Sequence, residues 1–144
     1  MKRTAFTMIE LVFVIVVLGI LTAIAIPRLA ATRDDAQIAK GRSDIAAIRA
    51  AIVSERQSRL LKGDSSYIST LDGKTSGMLF DGNDSTHTLL QYGIKAESSK
   101  NGAWSKSGTN YVFKVINADN TFTYNSNNGT FTCTSGTYCN QLTN

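Results

Sequence analysis

Few residues in this sequence of 144 have the type and spacing to do chemistry. Cys133 and Cys139 lie near the C-terminus, and an even pair in an exported tail suggests a disulfide made in an oxidising compartment. Two reduced thiols are the alternative, because spacing alone does not prove geometry. His87 is the only histidine, so no His cluster can ligate a metal, and a surface loop is its expected place. Neither cysteine has a base paired with it in sequence, and phosphate-loop and dinucleotide-binding patterns are absent. Asp81-Gly82-Asn83-Asp84 offers oxygen ligands in a turn but lacks the spacing and distal Glu of a calcium loop, so no metal and no cofactor is expected. Lys95, Lys100 and Lys106 surround Trp104. Such a patch could hold single-stranded nucleic acid through charge and stacking, yet it reads more readily as a loop with one anchored aromatic. The inventory argues against an enzyme.

One further residue stands out by its surroundings. From Phe6 to Ile26 the only charge is Glu10. As a helix this run is about 31 Å long, enough to cross the hydrocarbon layer of a membrane. A carboxylate there costs on the order of 2.5–3.5 kcal/mol at mid-bilayer, less near an interface. Glu10 could escape the cost by snorkelling to the headgroups or by protonation. A cation would also offset it. Cleavage between Ala5 and Phe6 would create an α-amino group four residues from Glu10, an axial gap of roughly 6 Å. A neighbouring helix displaced by that much could bring its amine level with the carboxylate and neutralise both charges.

These groups must be positioned by elements that the pattern already outlines. Overall the chain is 42% hydrophobic with a net charge of +4, part of it from Lys2 and Arg3, a balance too small to imply a nucleic-acid partner. The two cations should hold the N-terminus in the cytoplasm. An ordinary secretory signal would want a small-residue cleavage site after the apolar segment, but here Ala5 precedes it and the chain runs on through Pro27 into more helix. Ile38, Ile45, Ile48 and Ile52 make one helical stripe, widened by Ala36, Ala39, Ala46, Ala50 and Val53, with charges on the other faces. That helix should end near Leu61 and Lys62 with Gly63 as a left-handed cap. Residues 65–94 read as a loop region crossing from helix to sheet. Tyr111–Ile116 and Phe122–Tyr124 then alternate as strands with apolar content on both faces of the first, and Asn128-Gly129 marks a hairpin into Thr130–Cys133. The expected fold class is α+β, a long N-terminal helix packed on a small head of three or four antiparallel strands.

The run Lys2-Arg3-Thr4-Ala5-Phe6-Thr7-Met8-Ile9-Glu10-Leu11-Val12, followed by Leu18-Gly19-Ile20-Leu21 and Pro27, closely resembles the type IV prepilin signature. That family includes type IV pilins, the pseudopilins of type II secretion and DNA-uptake pseudopilins. The resemblance implies a leader at 1–5, a transmembrane and assembly helix at 6–27, an amphipathic helix at 28–62, and a loop region with the sheet and a C-terminal disulfide loop at 63–144. It implies that a prepilin peptidase cuts between Ala5 and Phe6 and methylates the Phe6 amine. Glu10 would then pair with Phe6 of an adjacent subunit. Gly19 and Pro27 match positions where the helix can loosen in the fibre, and Pro27 cannot donate to the carbonyl of Ala23. One departure stands out: the residue before the cut is usually Gly in this family, and here it is Ala5, which is still small, so processing is expected.

The expected protein is therefore a non-enzymatic subunit stored in the bacterial inner membrane with its head in the periplasm. Its expected partners are membrane lipid, the peptidase, an inner-membrane assembly platform, minor pilins, and further copies of itself in a helical fibre for secretion or DNA uptake. The short head and single cysteine pair lean toward a pseudopilin. A monomeric, membrane-anchored binding module is the rival reading.

Overall fold

Uninterrupted apolar residues, then isoleucines at helical spacing, produce one helix, α1 (Met8–Leu61, 54 residues). The computed structural model describes residues 7–144, the side chains of residues 27–31 excepted. Ala5 and Phe6, and the leader with them, lie outside the described residues, as does the side chain of Pro27. α1 continues through Pro27. It ends as expected for a glycine cap: Gly63 takes φ +86°, its N–H donates to the Leu60 carbonyl (3.0 Å), and Asp64 N–H reaches back to the Arg59 carbonyl (3.0 Å).

The chain divides into two compact units, one ending at Asp35 and the other spanning Ala36–Asn144. The first contains the apolar part of α1. The second contains the rest of α1 and the head: β1 (Met78–Leu79), β2 (Ile94–Lys95), β3 (Trp104–Ser107), β4 (Asn110–Val115), β5 (Ala118–Asn125), β6 (Thr130–Ser135) and the short helix α2 (Cys139–Thr143). β3-β4-β5-β6 form an antiparallel meander, and β1 and β2 pair separately. The 65–94 region is therefore not wholly loop, since β1 lies inside it and β2 begins at its end.

Alternation along β4 sends Tyr111, Phe113 and Val115 into the core and leaves Val112 and Lys114 half-covered on the other face. Phe122 and Phe131 enter from β5 and β6, and Ile45, Ile48 and Ile52 from α1. Phe80, Trp104, Tyr111, Phe113, Phe122 and Phe131 make a contiguous aromatic cluster, with neighbouring ring centroids 4.7–6.1 Å apart. Offset and edge-on ring contacts of this kind add about 0.5–1.5 kcal/mol per pair beyond burial.

The helix stripe is narrower than its alanines suggested: Ala36, Ala39, Ala46, Ala50 and Val53 are exposed. Polar residues flank the isoleucines instead and reach the sheet. Gln37 Oε1 accepts the Ile116 N–H (3.1 Å), Asp44 accepts the Trp104 indole N–H (3.0 Å), and Arg49 Nε donates to the Phe131 carbonyl (3.1 Å). The β4–β5 turn places Ile116 and Asn117 at φ +50° and +61°, the paired left-handed geometry of a tight hairpin. At the β5–β6 hairpin Gly129 takes φ +71°, and a Cβ there would fall 2.1 Å from the Tyr67 ring.

Candidate assembly helix and the head it carries

The first turn of α1 is held by Thr7. Its Oγ1 accepts the Glu10 N–H (3.3 Å), and its carbonyl accepts the N–H groups of Glu10 (3.1 Å) and Leu11 (3.2 Å). Thr7 is thus the N-cap and Glu10 the third helical residue, where a carboxylate also suits the positive end of the helix dipole. Beyond it, Met8–Ile26 has a mean hydropathy of 2.9, and none of this stretch is buried within the chain. Leu11, Phe13, Ile15, Leu18, Ile20, Leu21 and Ile24 all stand exposed on every side of the helix. A helix this apolar all round, covered by nothing of its own, needs lipid or other protein around it. A Cβ on Gly19 would meet nothing within 4 Å, so this glycine is not required by packing inside the chain. Nearby, Thr22 Oγ1 donates to the Leu18 carbonyl (2.7 Å), a back-bond that weakens the helical ladder locally.

In the head, Cys133 and Cys139 form a disulfide with Cα atoms 5.6 Å apart. The bridge ties β6 to α2, whose Leu142 is buried in the core. Leu142 and the Phe113 ring sit against the backbone of Gly41 in α1, where a Cβ would lie 2.6 Å and 2.5 Å from them. Tyr138 N–H donates to Asn120 Oδ1 (2.8 Å), fixing the start of α2 on β5. Gly41, Leu142 and α2 itself were not singled out by the sequence. A mid-helix glycine followed at the correct spacing by the isoleucine stripe was the one available signal for them.

Trp104 is fully buried, with its indole N–H satisfied by Asp44. Stacking of a nucleic-acid base on it is therefore ruled out, and the lysines around it do not frame an open aromatic platform. Lys106 instead pairs with Asp72 (2.8 Å), which also accepts the Tyr111 hydroxyl. Burial and that carboxylate push the Tyr111 phenol upward, and burial with Glu55 nearby pushes Tyr124 up to about 12. Glu55 is buried and paired with Arg59 (2.8 Å), which also reaches Asp64 (3.1 Å). His87 is partly covered and its ring nitrogen meets Asp84 (3.0 Å); this bond and the His87 and Thr86 N–H groups lower Asp84 to about 2. Among the described residues, no three His, Cys, Asp or Glu side chains converge as a metal-ligand group.

Fold and exposed helix together define an α+β subunit that presents an apolar helix outside its own core and carries a small antiparallel sheet. No family model and no solved structure matches the chain. Over 91 residues it is 35% identical to the type IV narrow pilus major component PilA5 of Thermus thermophilus, a match covering 62% of this chain and 78% of that protein. Over 51 residues it is 39% identical to type II secretion system core protein G of Pseudomonas aeruginosa, covering 35% of this chain and 36% of that protein. The chain belongs to the type IV pilin and pseudopilin family. It is a structural fibre subunit with a membrane-anchoring helix, not an enzyme.

Proposed function

We propose that this subunit is made with a leader, that a prepilin peptidase cuts between Ala5 and Phe6 and methylates the Phe6 amine, and that the mature chain polymerises through its apolar helix. Before assembly the helix lies in the inner membrane with the head in the periplasm. On assembly, delivered by the inner-membrane platform together with minor pilins, Glu10 pairs with the Phe6 amine of a neighbour and sets the axial register. Gly19 and Pro27 let the helix loosen as it packs.

The carrying observation is the exposed apolar helix Met8–Ile26 with one carboxylate in its first turn. Apolar contact is available equally from lipid and from sister helices, so it does not by itself select one neighbour. A charge pair does, because an unneutralised carboxylate in the low-dielectric core is costly. The longer of the two matches is to a major pilus component, which favours a pilus-type fibre over a secretion pseudopilus. DNA uptake remains one use such a fibre could serve.

Intact mass of the protein purified from cells tests the processing step. The expected product begins at Phe6 and carries one added methyl group. A chain that still begins at Met1 in assembled fibres would overturn the reading.

A further inference from the structure

Both halves of the disulfide are placed by one strand. Cys133 stands opposite Phe122 in the β5–β6 ladder. Two residues earlier on β5, Asn120 is fully buried, and its Oδ1 accepts the N–H of Tyr138, the residue next to Cys139 (2.8 Å). The amide nitrogen of Asn120 donates to the carbonyls of Phe113 and Ala118 (3.2 Å each), which fixes the side chain with its oxygen toward Tyr138. Gly136, at φ +143°, carries the chain over this side chain, and a Cβ there would fall 2.4 Å from Asn120 Oδ1. α2 has five residues and no side-chain cap, too little to hold a helix by itself in water. What seats it besides sulfur is Asn120 at its start, Leu142 in the core, and Arg42, whose Nε donates to the Gln141 carbonyl. These contacts come from β5, the core and α1, and none involves a cysteine.

We propose that α2 seats on the head before the disulfide forms, with Asn120 and Leu142 as the positioning residues that present the Cys139 thiol to Cys133. Cα atoms 5.6 Å apart lie in the span that a disulfide bridges without moving the backbone. A thiol pair held at that spacing meets at an effective concentration far above that of a free chain with the same separation of six residues. Closure itself is thiol–disulfide exchange with an oxidant of the disulfide class. One thiolate of the pair attacks the oxidant's S–S bond and expels a thiolate; the second thiolate then attacks the mixed disulfide and completes the Cys133–Cys139 bond. The pair gives up two protons and two electrons, and the oxidant leaves as a dithiol. The fold thus selects the bond, and the bond in turn locks α2 over Gly41. A pair presented in this way also resists reduction, because breaking it leaves the thiols side by side, ready to close again. This device is independent of the fibre reading and would operate in a subunit that never assembled.

The test is the equilibrium of the full chain in detergent with reduced and oxidised glutathione, read as the fraction of protein that takes up a thiol-blocking reagent after an acid quench. Wild type is compared with Asn120→Ala, Leu142→Ala and Asp44→Ala, under conditions where circular dichroism shows each to be folded. Asp44→Ala is the control for general weakening of the head, since it strips the acceptor from the Trp104 indole and acts on β3 rather than α2. The expected result is an equilibrium constant for disulfide formation at least about fivefold below wild type in Asn120→Ala and Leu142→Ala, the lower end of what an abandoned N–H or a lost core contact costs, and unchanged in Asp44→Ala. A constant unchanged in both α2 variants would overturn the proposal, because the cysteines would then find each other without the seat. An equal fall in Asp44→Ala would overturn it too, by showing that any loss of head stability has the same effect. If Asn120→Ala fails to fold, Leu142→Ala carries the comparison.

Discussion

Leu142, three residues after Cys139 in α2, rests directly on the backbone of Gly41 in the middle of α1. With the Phe113 ring on the same spot, this contact leaves no room for a single methyl group. Gly41→Ala should raise intrinsic helix propensity by about 1 kcal/mol and still destabilise the head, because overpacking costs about 1–3 kcal/mol and both neighbours are core side chains. The check is the melting temperature of the full chain in detergent. A higher value than wild type would show that Leu142 and Phe113 yield easily.

Removing the disulfide should loosen α2 before anything else. In the chain-entropy model a loop this short contributes about 2 kcal/mol. Cys133→Ser with Cys139→Ser should therefore lower the melting temperature and speed amide exchange at residues 139–143, with little change in β4. Exchange rising first in β4 would contradict this order.

Asp44 should matter through Trp104. Asp44→Ala leaves a buried indole N–H without its acceptor, at a cost of about 1–3 kcal/mol. Denaturant unfolding followed by tryptophan fluorescence reads the loss, since Trp104 is the only tryptophan. The same signal should be unmoved by single-stranded oligonucleotides; strong quenching of the folded protein would restore the base-stacking idea.

Alkali should unfold the head late and cooperatively. Tyr124 and Tyr111 both hold their protons above the ordinary phenol range near 10, so the folded state binds protons that the unfolded chain releases. The stability they contribute is full below about pH 10 and falls as pH rises through about 12. Tyrosinate absorbance and circular dichroism should change together there. Ionisation of both residues near pH 10 with the fold intact would show that they are not protected.

Glu10→Leu should keep membrane insertion, because it extends an apolar run, and should abolish fibres and crosslinked oligomers. Glu10→Gln separates charge from capping: it preserves a capping-type side chain at the third helical position while removing the carboxylate. Fibres formed normally by either variant would remove the charge pair from the assembly reading.

The elements that follow a period were legible in the residues. The isoleucines at 38, 45, 48 and 52 and the alternation of Tyr111, Phe113 and Val115 each report which side faces the core, and the structure buries them, Ile38 in part. What escaped was whatever depends on a distant partner. Gly41 looks like a weak point in a helix until a ring and a leucine from the sheet side arrive. Trp104 has too few apolar neighbours along β3 to betray a strand. Asp81-Gly82-Asn83-Asp84 has the composition of a solvated turn, and only the packing of Gly93 and the 87–90 segment reveals that its first residue is inside. The exposed alanines of α1 misled for the opposite reason, because small residues carry little information about which face is covered.

The edge strand β6 has a consequence for how this protein can and cannot self-associate. Its Phe131 carbonyl is already taken by Arg49, and its pairing to β5 slips between Thr121 and Phe122. A blocked carbonyl and a distorted ladder are poor templates for a foreign strand. Pairing of heads through this edge into cross-β aggregates is thereby discouraged.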